Sequence, residues 1–121
     1  MKSKYRAVKV CIDNIKFDSK VESEYYLFVK NLKEKGYIKA IELQPKFLLQ
    51  PKFTKGKKKH RDIFYVADFL LTFNNGRQVV VDIKGMPTEV AKLKRKLFDY
   101  RYQDIQLIWL YKKSKRWVKK W

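Results

Sequence analysis

The chain has 121 residues, enough for one domain with a hydrophobic core. A hydrophobic fraction of 45% and an aromatic fraction of 16% exclude an intrinsically disordered chain. The net charge of +18 indicates a polyanionic partner, and nucleic acid is the first candidate. An anionic membrane surface is the competing partner, but the sequence has neither a long apolar run nor a purely basic amphipathic helix, so we expect no membrane association.

Cysteine and histidine usage restricts the metal chemistry. The chain has one cysteine, Cys11, and one histidine, His60, so it can form neither an internal disulfide nor a zinc-ligand set. A catalytic metal would therefore rest on oxygen ligands, which favours Mg²⁺ or Mn²⁺. No signal-peptide pattern is visible in the residues after Met1, so we expect a cytoplasmic protein of a bacterium or of a phage-infected host cell.

The first third of the chain predicts a hairpin and then a helix. Residues 8–12 alternate like a strand, Asp13-Asn14 favours a turn, and residues 15–17 return. Ser19 and Glu22 match a capping box, so the helix should begin near Lys20 and end near Gly36.

The rest of the chain alternates strands with basic segments and one more helix. We predict a strand over 38–43, an irregular extended segment over 46–53, a solvated basic loop over 54–61, and a strand over 63–73. An Asn-Asn-Gly turn should join that strand to another over 78–84 as a hairpin. Thr88 can cap a second helix, in which Val90, Leu93, Leu97, Phe98 and Arg101 follow helical spacing. A strand over 105–110 and a basic tail over 112–121 complete a single α/β domain spanning residues 1–121.

Charged residues at the ends of two apolar strands are the most informative local feature. Asp82 and Lys84 flank one apolar residue after Val79-Val80-Val81, and alternation along a strand turns both to the same side. Asp68 ends a separate apolar run and could converge on them. Buried charges are costly unless they are paired or hold a metal. Such a set suits phosphodiester hydrolysis, in which a divalent ion and a lysine stabilise developing negative charge.

Each of these residues also has a simpler interpretation. Asp82 and Lys84 could be an ion pair on an exposed strand, although the three valines argue against exposure. Asp68 could only terminate strand pairing or pair with a nearby lysine. The main-chain carbonyl of Ile83 is a candidate further metal ligand.

Four sequence pieces in this order resemble the PD-(D/E)xK nuclease superfamily, and within it TnsA-type endonucleases and small phage-encoded nuclease-like proteins. The pieces are Ser19-Lys20-Val21-Glu22, Ile41-Glu42-Leu43-Gln44-Pro45, Tyr65-Val66-Ala67-Asp68-Phe69 and Val81-Asp82-Ile83-Lys84-Gly85. Asp-x-Lys alone is a weak motif, whereas four pieces on the expected elements are more specific. Ala67 replaces the Pro of the superfamily name.

The resemblance implies a restriction-endonuclease-like core: a helix, a mixed β-sheet with a hairpin, a helix and a strand. It implies that Glu22, Asp68, Asp82 and Lys84 are catalytic, with Glu22, Asp68, Asp82 and the Ile83 carbonyl holding Mg²⁺ or Mn²⁺. Glu22 could instead be only the capping partner of Ser19, and Glu24 is the rival acid on that helix. Lys84 would orient or help deprotonate the attacking water.

Candidate DNA contacts lie outside the carboxylate cluster. The helix after the Asp-x-Lys strand lies near bound DNA in the superfamily, and the basic loop and a Gln-Pro turn could also contact phosphate. The candidates are Gln44, Lys57, Lys58, Lys59, Arg61, Lys92, Lys94, Arg95 and Lys96. Trp117 and Trp121 could stack on unpaired bases or pack back on the core.

The leading functional hypothesis is a Mg²⁺-dependent endonuclease acting on branched DNA, such as a Holliday junction. Resolving a junction requires two cuts, so a homodimer is expected. The alternatives are a nicking or end-cutting endonuclease acting with partner proteins, as in transposition, and a non-catalytic nucleic-acid-binding protein on a nuclease-like scaffold. A basic RNA-associated protein would explain the charge but not the acids Asp68 and Asp82.

Overall fold

A computed structural model of the protein describes residues 9–119. Within that range the helices are α1 (Lys20–Glu34) and α2 (Glu89–Arg101). The strands are β1 (Val10–Ile12), β2 (Ile15–Phe17), β3 (Ile38–Leu43), β4 (Lys46–Gln50), β5 (Phe53–Lys55), β6 (Lys58–His60), β7 (Ile63–Val66), β8 (Phe69–Phe73), β9 (Gln78–Ile83), β10 (Gln106–Lys113) and β11 (Arg116–Lys119).

The centre of the fold is a mixed sheet of five strands in the order β11-β10-β9-β8-β3. Neighbouring strands are antiparallel except β9 and β10, which run parallel. A parallel pair needs a crossover connection, and α2 supplies it. Strands β4 and β7 form a separate two-stranded sheet in contact with α2. The protein is thus a small single-domain α/β protein, as the order of predicted elements indicates.

The two helices cover opposite sides of β9. Val79 and Val81 lie in a hydrophobic cluster with residues of α1, whereas Val80 lies in a second cluster with Phe98 of α2. All three valines are at most 5% exposed. A strand buried on both faces reads as a continuous apolar run, which explains the sequence before Asp82.

The beginning of the fold follows the sequence closely. The Ser19 side chain accepts a hydrogen bond from the Glu22 backbone N–H at 3.1 Å, which caps α1 as predicted. Strands β1 and β2 pair through a turn in which Asp13 and Asn14 have φ of 54° and 63°. Positive φ at both central residues is the type I′ pattern that favours Asx residues in tight hairpins. Val8 of the predicted strand lies outside the described residues.

The apolar run over 63–73 is two strands rather than the single strand predicted. Strand β7 pairs with β4, whereas β8 pairs with β3 and β9. At the break, the Ala67 N–H donates to the Pro45 carbonyl at 3.0 Å and the Gln44 N–H donates to the Asp68 carbonyl at 3.0 Å. Periodicity could not show this break, because both halves are apolar; the segment over 46–53, predicted as irregular, supplies β4 as the partner of β7.

Two basic segments are also more ordered than predicted. Residues 53–60, predicted mostly as a solvated loop, form the antiparallel hairpin β5–β6. Residues 112–119, predicted as the start of a tail, belong to β10 and β11, which pair with each other. The Trp117 ring meets the Tyr25 ring edge-on at 4.9 Å, so this tryptophan packs on the core. Trp121 lies outside the described residues.

Helix α2 turns most of its apolar residues away from the core. Phe98 is fully buried, but Val90, Leu93 and Leu97 are 63%, 57% and 38% exposed, and Tyr100 is exposed as well. Only one side of α2 contacts β4, β7 and β10. The spacing correctly predicts a helix but not which of its faces meets the sheet. Neither helix within residues 9–119 is long and apolar enough to cross a membrane.

Candidate active site

Asp68 and Asp82 are linked by two hydrogen bonds, each from a backbone amide to a carboxylate. The Asp68 N–H donates to Asp82 Oδ1 at 2.7 Å, and the Ile83 N–H donates to Asp68 Oδ2 at 2.8 Å. The break before β8 frees the Asp68 amide from strand pairing and turns it toward the end of β9. The two carboxylates therefore converge, as their positions at strand ends predict.

Tyr65 and Trp109 hold Asp82 from its other side. The Tyr65 hydroxyl donates to Asp82 Oδ2, and the Trp109 Nε1–H donates to the Tyr65 oxygen at 2.8 Å. Asp82 is only 2% exposed, and these bonds offset part of the cost of burying its charge. Sequence reasoning missed both aromatic residues. The available signal was their polar atoms, since a buried Tyr or Trp usually has a hydrogen-bond partner.

Lys84 reaches the same carboxylate from the strand end. Its Nζ lies 3.8 Å from Asp82 Oδ2 and 5.7 Å from the centre of the Trp109 ring. Its side chain is 30% exposed, against 3% for Asp82, so the ammonium bridges a buried anion and solvent. The Lys84 N–H donates to the Leu110 carbonyl at 2.8 Å, which fixes the backbone at this point. Asp82 and Lys84 thus share one side of β9, as strand alternation predicts.

Glu22 approaches from α1 across a cleft of about 240 Å³. The polar lining of this cleft includes Glu22, Gln44 and Asp68, among apolar side chains such as Phe17 and Phe69. Gln44 has φ of 50°, in the left-handed region, because the chain turns there between two sheets. The structure therefore brings the Gln-Pro turn and the first turn of α1 to the Asp68 carboxylate.

The rival acid on α1 is engaged elsewhere. The Glu24 carboxylate forms an ion pair with Lys112, with Oε2 3.1 Å from Nζ. Glu22, about 200° around the helix from Glu24, lines the cleft instead. The geometry favours Glu22 as the α1 member of the cluster.

Burial raises the pKa of all three acids, and the charge of Asp82 adds to this effect at Asp68 and Glu22. Burial, followed by the charge of Asp82, raises the pKa of Asp68 to about 7. Burial also raises the pKa of Asp82, against the Tyr65 hydrogen bond and the Lys84 charge. Burial and the negative charges of Asp18 and Asp82 raise the pKa of Glu22. Desolvated carboxylates that repel one another are typical of functional sites and would be stabilised by a bound cation.

The carboxylate oxygens of Asp68 and Asp82 can be compared with the coordination that a metal ion requires. Among residues 9–119, no group of three or more His, Cys, Asp or Glu side chains is arranged to hold an ion. Asp68 and Asp82 nevertheless form a pair, and each carboxylate oxygen has two lone pairs, so a hydrogen bond leaves one for a cation. Oxygen donors without nitrogen or sulfur suit Mg²⁺ or Mn²⁺, which complete their coordination with water. The pair fits such an ion, with Glu22 facing it across the cleft.

Apart from Gln44, which lines the cleft, the predicted DNA contacts fall on two elements. Lys57, Lys58, Lys59 and Arg61 are exposed on or beside the β5–β6 hairpin. On α2, Lys92 Nζ lies 3.4 Å from Glu89 Oε1. Lys96 is exposed, and Lys94 is half-buried. These side chains remain candidates for phosphate contacts.

Arg95 differs from the other predicted contacts because the protein itself uses its side chain. Its Nη2 donates to the Leu107 carbonyl at 2.8 Å, and its guanidinium carbon lies 4.8 Å from the centre of the Trp109 ring. Arg95 also pairs with Asp99 at 3.7 Å and is 18% exposed. The Arg95 side chain therefore packs against the Trp109 ring and has a structural role. Helical spacing could not indicate this role.

Comparison with known proteins gives a family without a described function. No curated protein matches the chain. A solved structure described as the crystal structure of SSO0001 is similar, with 18% identity and a TM-score of 0.46, over 81% of this chain and 48% of that one. The chain thus spans about half the length of that neighbour. Residues 2–118 match the family described as protein of unknown function (DUF1064). Because that match covers nearly the whole chain, the protein belongs to the DUF1064 family.

Proposed function

We propose that this protein is a metal-dependent DNA endonuclease related to the PD-(D/E)xK nucleases. The observation that carries the proposal is the Asp68–Asp82 pair, linked through backbone amides, with Lys84 Nζ 3.8 Å from Asp82. An exposed ion pair would explain Lys84 and Asp82 alone. It would not explain a second, half-buried acid bonded to the same strand end, nor the raised pKa of that acid.

Asp68 and Asp82 would hold Mg²⁺ or Mn²⁺, with Glu22 and the Ile83 carbonyl as further oxygen donors. The ion, when bound, supplies positive charge to the scissile phosphate and acidifies water.

The chain's own groups contribute binding, orientation and proton transfer. Lys84 is a partly exposed cation held beside a buried anion, so it can donate to a non-bridging phosphate oxygen without losing its position. The Tyr65 hydroxyl, whose pKa is raised by burial and the Asp82 charge, stays protonated and keeps Asp82 oriented. Glu22 is half-buried in the cleft, and its raised pKa makes it a stronger base than an exposed carboxylate, so it would accept a proton from water whenever it faces the ion through that water.

We further propose branched DNA as the substrate and a homodimer as the active form. A small basic domain can recognise a branch by phosphate contacts and shape, with few base contacts. Two cuts in a junction need two sites related by symmetry. The exposed apolar residues of α2, Val90, Leu93, Leu97 and Tyr100, recur at alternating spacings of three and four, the pattern of a helix–helix seam. A second copy packing on this face would bury them.

Metal binding can be tested without any nucleic acid. Mn²⁺ or Mg²⁺ should raise the melting temperature of the wild-type protein, because a ligand that binds only the folded state stabilises it. Asp68→Asn should remove this shift, whereas Asp104→Asn, at an exposed turn, should retain it. Equal shifts for the two variants would contradict the assignment.

Cleavage can be tested on labelled four-way junction, flap, duplex and single-stranded DNA with Mg²⁺ or Mn²⁺. The junction should be cut most efficiently, leaving 5′-phosphate ends. Asp68→Ala and Asp82→Ala should abolish cutting while leaving or improving DNA binding, because removing an acid reduces repulsion from phosphate. Glu22→Gln should lose activity and Glu24→Gln should keep it. DNA binding without cleavage of any substrate would favour the non-catalytic alternative.

A further inference from the structure

Strands β5 and β6 form a hairpin that projects from the body of the protein. Among the described elements, the two strands pack chiefly on each other. Every residue of β5 is exposed, and only His60 of β6 is partly covered. Gly56, with φ of 60°, opens a two-residue turn of the kind that requires glycine at its first position. We call residues 52–61 the basic arm.

A stacked aromatic pair lies at the base of the basic arm. The rings of Phe53 and His60 face each other at 4.6 Å between centroids and 14° between planes, and the two residues are paired across the strands. One face of the Phe53 ring stabilises the hairpin in this way. Phe53 is still 44% exposed, so part of its apolar surface remains open to solvent.

The basic arm around this ring is strongly cationic, and the nearest acid in sequence is Asp62, just after it. The basic arm has no acidic residue and six cationic ones: Lys52, Lys55, Lys57, Lys58, Lys59 and Arg61. In the described part of the chain, none of the six has a carboxylate within 4.0 Å. An open aromatic face among free cations matches a partner with both planar apolar groups and phosphates. Unpaired nucleotides have both, whereas the bases of a duplex already stack on each other.

The basic arm is also close to the candidate active site. Strand β7 leads from the arm toward Asp68, which follows His60, the cross-strand partner of Phe53, by eight positions. At about 3.3 Å per residue this is at most about 26 Å, or roughly eight nucleotide steps of 3.4 Å. A strand held at the arm would therefore reach the carboxylates within about eight nucleotides.

We propose that the basic arm binds unpaired DNA, with a base stacked on the open part of the Phe53 ring and the lysines on flanking phosphates. The inference rests on the proposed function for the position of the cut, but the binding itself does not depend on catalysis. It adds to that function the requirement that a substrate have unpaired bases within about eight nucleotides of the cleaved bond, as near a branch point.

The test measures binding of the full-length protein in EDTA, so that cleavage plays no part. Two labelled strands of equal length are compared by fluorescence anisotropy: oligothymidylate and an abasic strand with the same phosphates. Phe53→Ala should bind oligothymidylate about tenfold more weakly, because one base loses its aromatic stacking partner. Its affinity for the abasic strand should not change. Phe53→Trp should bind oligothymidylate at least as tightly as the wild type.

Control variants separate stacking from charge and from loss of the hairpin. Tyr37→Ala removes another exposed aromatic ring, 65% exposed, and should leave both affinities unchanged. Lys58→Ala should weaken binding to both strands and lower the salt slope by about 0.7 unit, the value for one phosphate contact on a single strand. Phe53→Leu keeps an apolar residue opposite His60 but removes the ring, so it should behave as Phe53→Ala. Wild-type affinity for oligothymidylate in both Phe53→Ala and Phe53→Leu would overturn the proposal.

An anionic membrane is the other partner that basic and aromatic residues could suit. Sedimentation with phosphatidylserine-containing vesicles tests it directly. Phe53→Ala should leave vesicle binding unchanged, and loss of vesicle binding with normal oligothymidylate binding would overturn the proposal. If the protein binds oligothymidylate through Phe53 but cuts no DNA, the nuclease assignment is refuted. The basic arm is then still a binding element for unpaired DNA.

Discussion

Lys84 differs from the other lysines of the chain because its ammonium lies 3.8 Å from a buried carboxylate. In the proposed site it faces the scissile phosphate, where loss of a preorganised cation costs roughly 10²-fold or more in rate. Lys84→Ala should therefore lose nearly all cleavage, as measured by single-turnover kinetics on a junction substrate. Its DNA affinity should stay close to normal, because one phosphate contact among many is lost.

Two further variants define what Lys84 does. Lys84→Arg should restore little activity, since the planar guanidinium does not replace a compact ammonium in a small space. Lys35→Ala removes the same charge at the far end of α1 and should cut normally. If Lys84→Ala lost binding and cutting to the same degree, Lys84 would be an ordinary phosphate contact.

Asp68 should make the stability of the metal-free protein pH-dependent. Its folded-state pKa of about 7 lies above the ordinary value of 3.8, so the folded protein holds this proton more tightly than the unfolded chain. The free energy of unfolding should thus fall as the pH rises from about 4 to 7, with no further loss from this group above that range.

Asp68→Asn should remove this dependence. In EDTA above pH 7 the variant should be more stable than the wild type by about 1 kcal/mol or more, since one unit of pKa shift corresponds to about 1.4 kcal/mol. The difference should shrink as the pH falls toward 4. Urea unfolding across this pH range measures both quantities, and a variant less stable than the wild type above pH 7 would contradict the raised pKa.

The residues of the site were only partly predictable from sequence. Asp82 and Lys84 follow from strand alternation, and Asp68 follows from an acid in an apolar run. For Tyr65 the sequence offers only the general signal that a buried tyrosine hydroxyl needs a partner, because its link to Asp82 depends on the change of sheet at Ala67. In the same way, Arg95 is indistinguishable in sequence from its basic neighbours on α2.

Strands β7, β9 and β10 are joined by the chain of hydrogen bonds from Trp109 through Tyr65 to Asp82. Tyr65→Phe leaves a buried donor and a buried acceptor without this partner and should lower the free energy of unfolding by about 1–3 kcal/mol. Trp109→Phe removes the indole N–H. The double variant should lose less than the sum of the two single losses, because the same hydrogen bond is counted in both. Urea unfolding measures the cycle, with Tyr37→Phe as an exposed control; strictly additive losses would show that the hydroxyl does not couple these strands.

Helix α2 should carry the dimer contact of the proposed enzyme. Leu93→Glu places a charge in the middle of its exposed apolar face, so the variant should be monomeric under conditions in which the wild type is a dimer. Light scattering after gel filtration gives the masses. Lys94→Glu introduces a glutamate at the next residue of the helix, outside the apolar face, and should remain a dimer. Junction cleavage by the monomeric variant should stop after one strand is nicked. A wild type that stays monomeric at all concentrations would contradict the proposal.

At the scale of elements, sequence patterns predict local structure better than they predict contacts between elements. The Ser19 cap, the Asp13-Asn14 turn and the Asn74-Asn75-Gly76 turn depend on near neighbours, and the structure has all three. The pairing of β4 with β7 and the buried face of α2 depend on residues far apart in the chain. The spacing of hydrophobic residues predicts whether an element is a helix or a strand, but it does not predict which other element packs against it.

The charge of the whole molecule should dominate its affinity for DNA, while the location of that charge decides which lysines matter. Each phosphate contact releases condensed counterions, so a plot of log K against log salt should be steep and linear, with a slope of about −0.9 for each contact on duplex DNA. Lys58→Ala, on the basic arm, should reduce the slope by about one unit. Lys35→Ala changes the net charge equally but lies beyond the C-terminal end of α1, about 20 Å along the helix from Glu22 at 1.5 Å per residue, and should leave the slope unchanged. Anisotropy titrations of a junction in EDTA at several salt concentrations measure these slopes. Equal reductions for the two variants would mean that DNA responds to net charge alone, and a salt-insensitive affinity would mean that the basic surfaces are not where it binds.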